Sequence, residues 1–289
     1  MSERRLTKEA KEYLEKSDEE RITYCQQDKW IRYGAAVTLL ELLDDKFKEP
    51  PQIRHEGLLI YSDSNNGKST ILKKFYNTYR AKLDYINHDD EMIYEIPIIY
   101  FQAPTIPNES RLYSLILEQL MVPHRLTDKV VEKEKLVSHY LKKLNTRMIL
   151  VDEIHSALTG NFDKQRAFKD NLKQLSNKLS LSIILAGTRD AHSALSIGDE
   201  TSNRFPSIKL PTWSNDKKFR SFIATYETCL PLKEASNLAY DQQIIDSFYN
   251  QSEGLIGRAV NLIKKASVKA IKSGREKIIL EDIVYLPTL

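Results

Sequence analysis

Leu58-Leu-Ile-Tyr61-Ser62-Asp63-Ser64-Asn65-Asn66-Gly67-Lys68-Ser69-Thr70-Ile71-Leu72 is the segment on which the reading of this chain turns. Four consecutive apolar residues suit a strand covered on both faces, and the run beginning at Ile71 suits a helix. Between them lies a polar loop ending in Gly67-Lys68-Ser69-Thr70. A loop of this kind turns backbone N–H groups inward at a helix N-terminus, where they bind phosphate oxygens. Ser64, Asn65, Asn66, Gly67 and Thr70 are therefore expected to line a nucleotide's phosphates. Lys68 would reach the β- and γ-phosphates, and Ser69 would offer its hydroxyl to Mg2+. The pattern GxxxxGK[ST] places its first Gly where this chain has Ser62, so Ser62 must adopt a compatible backbone or distort the loop entry. A lysine-rich helix start after an Asn-rich turn is the plainer alternative, and the flanking strand and helix favour the phosphate site.

Working outward, four more short apolar runs follow: Ile96–Phe101, Met148–Val151, Ser182–Ala186 and Ser207–Leu210. Helical patterns over Lys68–Lys82, Arg111–Leu120 and Gln165–Leu179 alternate with them, which predicts a parallel sheet with helices on both faces. Met148-Ile-Leu-Val-Asp152-Glu153 is a strand ending in two acids. Asp152 suits a Mg2+ ligand, and Glu153 suits the base that orients and deprotonates an attacking water. Two acids capping the next helix is the ordinary reading of the same pair. The strand over Ser182–Ala186 runs into Gly187-Thr188-Arg189, where Thr188 is the candidate contact to the γ-phosphate or the water. Arg204 reads either as a solvated loop charge or as a finger reaching a neighbouring subunit's γ-phosphate. Arg258, in Gly254-Leu-Ile-Gly257-Arg258, reads either as an ordinary helix-start residue or as a cation pointing back at the nucleotide.

After Pro211 the strand signals stop. Helices are expected over Lys217–Thr228, Tyr240–Gln251, Ile256–Ser273 and Leu280–Val284. Residues 1–29 are charged, with sparse apolar positions, and read as one surface helix leading into the fold. From Trp30, an amphipathic stripe of Ile31, Val37, Leu40 and Leu43 follows. The expected division is thus a lead-in over 1–29, an α/β core over 30–212 and a helical lid over 213–289.

Composition bounds the rest. In 289 residues, Lys+Arg 43 against Asp+Glu 40 gives +3, which permits nucleic-acid binding without demonstrating it. Two cysteines, Cys25 and Cys229, cannot build a disulfide framework and suit a reducing cytoplasm. Neither an apolar run long enough to span a bilayer nor a signal-peptide core is legible, so a cytoplasmic protein without membrane contact is expected.

Taken as a set, the motifs identify a resemblance. Asp63-Ser-Asn-Asn-Gly-Lys-Ser69 with Val151-Asp-Glu-Ile-His155 resembles the TniB/TnsC group of transposon-encoded AAA+ ATPases. The likeness continues through Ala157-Leu-Thr-Gly-Asn161, Gln165-Arg166, Gly187-Thr188-Arg189, Asn203-Arg204-Phe205, Leu210-Pro211-x-Trp213 and Gly254-x-x-Gly257-Arg258, covering residues 24–285. It implies a P-loop NTPase of the AAA+ type: a five-stranded parallel sheet with helices on both faces, then a small all-helical lid. It also implies ATP and Mg2+ as cofactors, and assembly into a ring or helical filament on duplex DNA. A DDE transposase would be recruited or activated there, and a TniQ-type selector, in some systems with a guide-RNA complex, would place the assembly.

Carried over residue by residue, the resemblance makes Lys68 and Ser69 Walker A, Asp152 and Glu153 Walker B, and Thr188 sensor 1. Arg204 becomes the finger acting in trans and Arg258 becomes sensor 2. The lead-in to the first helix of the core borders the adenine in the family, so Trp30 or Tyr33 is expected either to pack on the base or to anchor that helix. DNA-facing loops would flank the helix over Arg111–Leu120, offering Arg111, Arg125, Thr127 and Lys129 to phosphate oxygens without base readout. A clamp-loader or replication-initiator-like ATPase is the alternative; it calls for a winged-helix tail or a collar, for which the chain to Leu289 leaves no room.

Overall fold

The computed structural model describes residues 5–50, 52, 55–80, 86–88, 91–93, 95–158, 162–196 and 203–284. Lys82, the expected end of one helix, and residues 159–161 of the family pattern lie outside them. The chain divides into two compact units. One takes Ala35–Ser64 and Lys68–Leu210; the other takes the residues through Gly34, Asn65–Gly67, and those from Pro211 onward.

The first unit is built on a parallel sheet. Its strands are β1 (Leu58–Tyr61), β4 (Ile98–Gln102), β5 (Met148–Asp152), β6 (Ser182–Gly187) and β7 (Ser207–Lys209), in the order β4-β5-β6-β1-β7. Every residue of β5 and β6 is buried, so both faces of the sheet are covered at these strands, as their unbroken apolar sequences require, whereas all of β7, at the edge, is exposed. Strand β4 and β5, the strand carrying the acids, are neighbours, with Gln102 opposite Asp152. Strand β6 lies between β5 and β1, and Tyr61 pairs with Gly187. The ends of β1, β5 and β6 that carry the polar residues are therefore side by side.

Helices α3 (Gly34–Lys48), α4 (Lys68–Arg80), α5 (Glu109–Gln119), α6 (Val130–Lys143), α7 (Phe162–Leu179) and α8 (Arg189–Ser196) complete this unit. Ile116, Leu117, Val137, Leu141 and Leu172 join Ile149, Val151, Ile183 and Leu185 in one core. Asn108 caps α5 by accepting from the Arg111 N–H at 3.0 Å. Of the stripe expected from Trp30, Ile31 and Leu43 are buried and the other two positions are not. Helix α3 starts at Gly34 and buries Ala36, Leu39, Leu43 and Phe47, leaving Val37 and Leu40 half-buried. A short antiparallel pair, β2 (Ile86–His88) and β3 (Glu91–Ile93), adds to the expected strands.

The second unit is helical: α1 (Lys8–Leu14), α2 (Asp18–Gln26), α9 (Lys217–Glu227), α10 (Gln242–Ser252), α11 (Ile256–Lys272) and α12 (Glu281–Val284). In place of one surface helix over 1–29 stand two. Ser17 starts the second with a capping box, its side chain receiving the Glu20 N–H while Glu20 accepts from the Ser17 N–H. Nor is this segment superficial. Cys25 shares a core with Phe219, Ile223, Tyr226, Phe248 and Ile263. Arg21, fully buried, donates to Glu276 at 2.8 Å and to the Pro231 carbonyl at 2.7 and 3.0 Å. Charge makes the lead-in look superficial, whereas its cation is buried against a paired carboxylate. Among the described residues, no helix is long and apolar enough to cross a membrane.

Candidate nucleotide site

The loop after β1 is organised around Lys68. That side chain is 6% exposed, and its ammonium donates to Ser62 O at 3.1 Å, Ser62 Oγ at 3.1 Å and Asp63 O at 2.9 Å. Burial pulls the Lys68 pKa below its usual value, while the carboxylates of Glu153, Asp152 and Asp63 pull the other way. The expected difficulty at Ser62 does not arise. Its φ is not positive, so the position needs no glycine, and its hydroxyl instead supplies one of the acceptors for Lys68. The left-handed positions fall further along the loop, at Asn65 (φ 58°) and Gly67 (φ 89°).

The two acids stand at the end of β5. Asp152 is fully buried, and both its oxygens are engaged: Oδ1 accepts from the Glu153 N–H at 2.9 Å and Oδ2 from the Tyr100 hydroxyl at 2.8 Å. Burial, then the Asp152 charge, push the Tyr100 pKa well above its usual value, so this phenol stays protonated and donates. Glu153 adopts φ 54°, a left-handed backbone uncommon outside glycine, and its carboxylate lies 3.3 Å from His155 Nε2. At the end of β6, Thr188 Oγ1 is buried without a hydrogen-bond partner among the described residues. Arg189 pairs with Asp63 of the phosphate loop at 2.7 Å.

The donor set suits a nucleotide with Mg2+. A buried ammonium held by neutral loop oxygens, a half-buried Ser69 on the first turn of α4, a buried carboxylate and the Thr188 hydroxyl are the groups such a ligand requires. Ser64 and Thr70 are exposed.

The loop tip belongs to the helical unit. Asn65 O accepts from the Gly257 N–H at 2.8 Å, and Asn66 Nδ2 donates to the Pro211 carbonyl at 3.0 Å. A Cβ on Gly257 would come within 2.7 Å of the Asn65 carbonyl, so only glycine permits this approach. Tyr33 packs on Trp213 (5.1 Å) and Phe222 (6.0 Å) of the helical unit. Trp30 is half-buried. Arg258 is exposed and pairs with Glu253 at 2.6 Å.

Arg204 departs from the solvated-loop reading: it is 3% exposed. A guanidinium so buried is not presented on the surface for a neighbouring subunit. The expected DNA-facing residues lie around α5. Arg111 pairs with Glu118 at 2.8 Å, and Arg125, Thr127 and Lys129 are exposed on the α5–α6 loop. The buried Lys133 fastens that loop by donating to Ser110, Ser114 and the Leu126 carbonyl at 3.0, 3.1 and 3.0 Å. Neither Lys133 nor Tyr100 stands out in the sequence. Tyr100 sits in an apolar strand, and only its register beside β5 gives it a role.

Strand order, phosphate loop and paired acids together define a P-loop ATPase fold of the AAA+ type. The chain belongs to the family described as bacterial TniB protein, which it matches over residues 21–215. No curated protein matches it significantly. Among solved structures it is similar to Cdc6p from Pyrobaculum aerophilum, with TM-score 0.66 and 16% identity over 90% of this chain and 68% of that one. It is also similar to the Aeropyrum pernix ORC1 protein in complex with DNA, with TM-score 0.64 and 15% identity over 91% and 67%. Drosophila ORC bound to DNA gives TM-score 0.58 and 12% identity over 93% and 65%. At these identities the likeness is one of fold.

Proposed function

We propose that the chain is an ATP-hydrolysing regulator of DNA transposition that assembles on duplex DNA. There it recruits or activates a DDE transposase at sites placed by a TniQ-type selector. Membership of the TniB family, joined to a complete Lys68–Asp152–Glu153 constellation, carries the reading.

In this account Lys68 exchanges its loop oxygens for those of the β- and γ-phosphates. Ser69 and Asp152 hold Mg2+, which when bound neutralises charge on the phosphate oxygens. Glu153 takes the proton of the attacking water, and the Thr188 hydroxyl helps position that water or the γ-phosphate. Arg258 takes the sensor 2 role and Arg204 the role of a finger acting in trans, both as the resemblance implies. Arg111, Arg125, Thr127 and Lys129 contact phosphates. A few such contacts per subunit, repeated along a ring or filament, suit a chain of net charge only +3.

An initiator-like loading role is the second reading, favoured by the likeness to Cdc6p and ORC proteins. Phosphate release, measured with and without duplex DNA on the parental chain and Lys68→Ala, tests the ATPase. Release that depends on Lys68 is expected; equal release by the variant overturns the assignment. Activation of a transposase by the assembled protein separates the two roles.

A further inference from the structure

We propose that Tyr100 is a positioning residue for the cation site: its hydroxyl fixes the rotation of the Asp152 carboxylate so that one oxygen is presented to Mg2+. The inference deepens the nucleotide-site reading and rests on it. Tyr100 lies on β4, the edge strand beside β5, and its ring approaches Tyr76 of α4 with centroids 5.9 Å apart. From there its hydroxyl donates to Asp152 Oδ2 at 2.8 Å, while the Glu153 N–H fixes Oδ1 at 2.9 Å. A carboxylate oxygen accepts more than one partner, so each oxygen keeps capacity for a cation. Two donors from two directions leave the buried group no freedom to turn. Without the hydroxyl, Oδ2 loses its only side-chain donor among the described hydrogen bonds, and the carboxylate is held at one oxygen alone. Partners of this kind around a metal ligand commonly govern its affinity.

The test is binding, independent of turnover. A fluorescent ADP analogue is titrated into the full chain in EDTA, and then across a Mg2+ series. For Tyr100→Phe, the affinity in EDTA should equal the parental one, while the Mg2+ concentration giving half of the cation-dependent gain rises about tenfold. Tyr76→Leu, which removes the neighbouring ring and keeps the hydroxyl, should leave the Mg2+ requirement unchanged. In an Asp152→Asn background, Tyr100→Phe should add nothing, because it acts through that carboxylate. An unchanged or lowered Mg2+ requirement in Tyr100→Phe overturns the assignment. So does the same shift in Tyr76→Leu, or additivity with Asp152→Asn. If the parental chain binds no analogue at all, the nucleotide-site reading itself falls, a result distinguishable from failure of Tyr100 alone.

Discussion

In the proposed mechanism Lys68 serves binding and Glu153 serves turnover, and single substitutions should separate the two. Glu153→Gln keeps the shape and removes the base. It should retain ATP binding, lower phosphate release about 100-fold or more, and trap the assembled state. Parental turnover by this variant would remove Glu153 from the role of base. At the loop tip, Gly257→Ala puts a methyl group against the Asn65 carbonyl, 2.7 Å away. The backbone must shift, and a loss of about 1–3 kcal/mol in urea unfolding is expected. Legibility at this scale follows local spacing. Gly67-Lys68-Ser69 and Asp152-Glu153 are readable because their roles lie within a few residues of each other. Ser62 defeats the pattern for a related reason: spacing says where glycine is usual, and only the backbone says whether φ is positive. Tyr100 and the burial of Arg204 depend on residues far away in the chain, and no local pattern carries them.

Elements are most legible where periodicity is long. Helix α11 buries Ile256, Ala259, Ile263 and Ala270 as its repeat requires. The lead-in resists the same reading because its burial depends on a charge pair. Arg21 and Glu276 are 255 residues apart, and the pair tests that element's contribution. Glu276→Gln leaves the buried guanidinium with the exposed Asp18, 3.0 Å away, as its remaining carboxylate and should destabilise by about 3 kcal/mol. The pH dependence has a definite sign. Burial raises the Glu276 pKa, but the Arg21 hydrogen bond, the Lys233 N–H and the nearby charges outweigh it, leaving the folded value below 4.5. A depressed carboxylate contributes stability that is present above its unfolded pKa and lost as pH falls through the folded one. Acid unfolding of the parental chain should therefore steepen below about pH 4.5, and Glu276→Gln should flatten that limb. An acid limb unchanged in the variant would contradict the assignment.

At the scale of the whole molecule, strand-helix alternation followed by helices alone is enough to expect a parallel α/β core and a helical domain after it; the AAA+ type is implied only by the resemblance that the motifs carry as a set. The composition of separate units is not legible, because the loop tip Asn65–Gly67 groups with chain far away in sequence. Nor does a net charge of +3 identify a DNA-binding surface, since the cations proposed for it are few: Arg111 on α5, and Arg125 and Lys129 on the loop after it. Replacing both Arg125 and Lys129 with Glu should weaken duplex binding and flatten its salt dependence, by about one unit of slope for each phosphate no longer neutralised. An unaltered slope would place DNA elsewhere.

The most direct test of the central claim is electron microscopy of the full chain with duplex DNA, with and without ATP. Rings or filaments that enclose DNA, require ATP and are absent in Lys68→Ala are expected. A chain that stays monomeric with both ATP and DNA would contradict that claim.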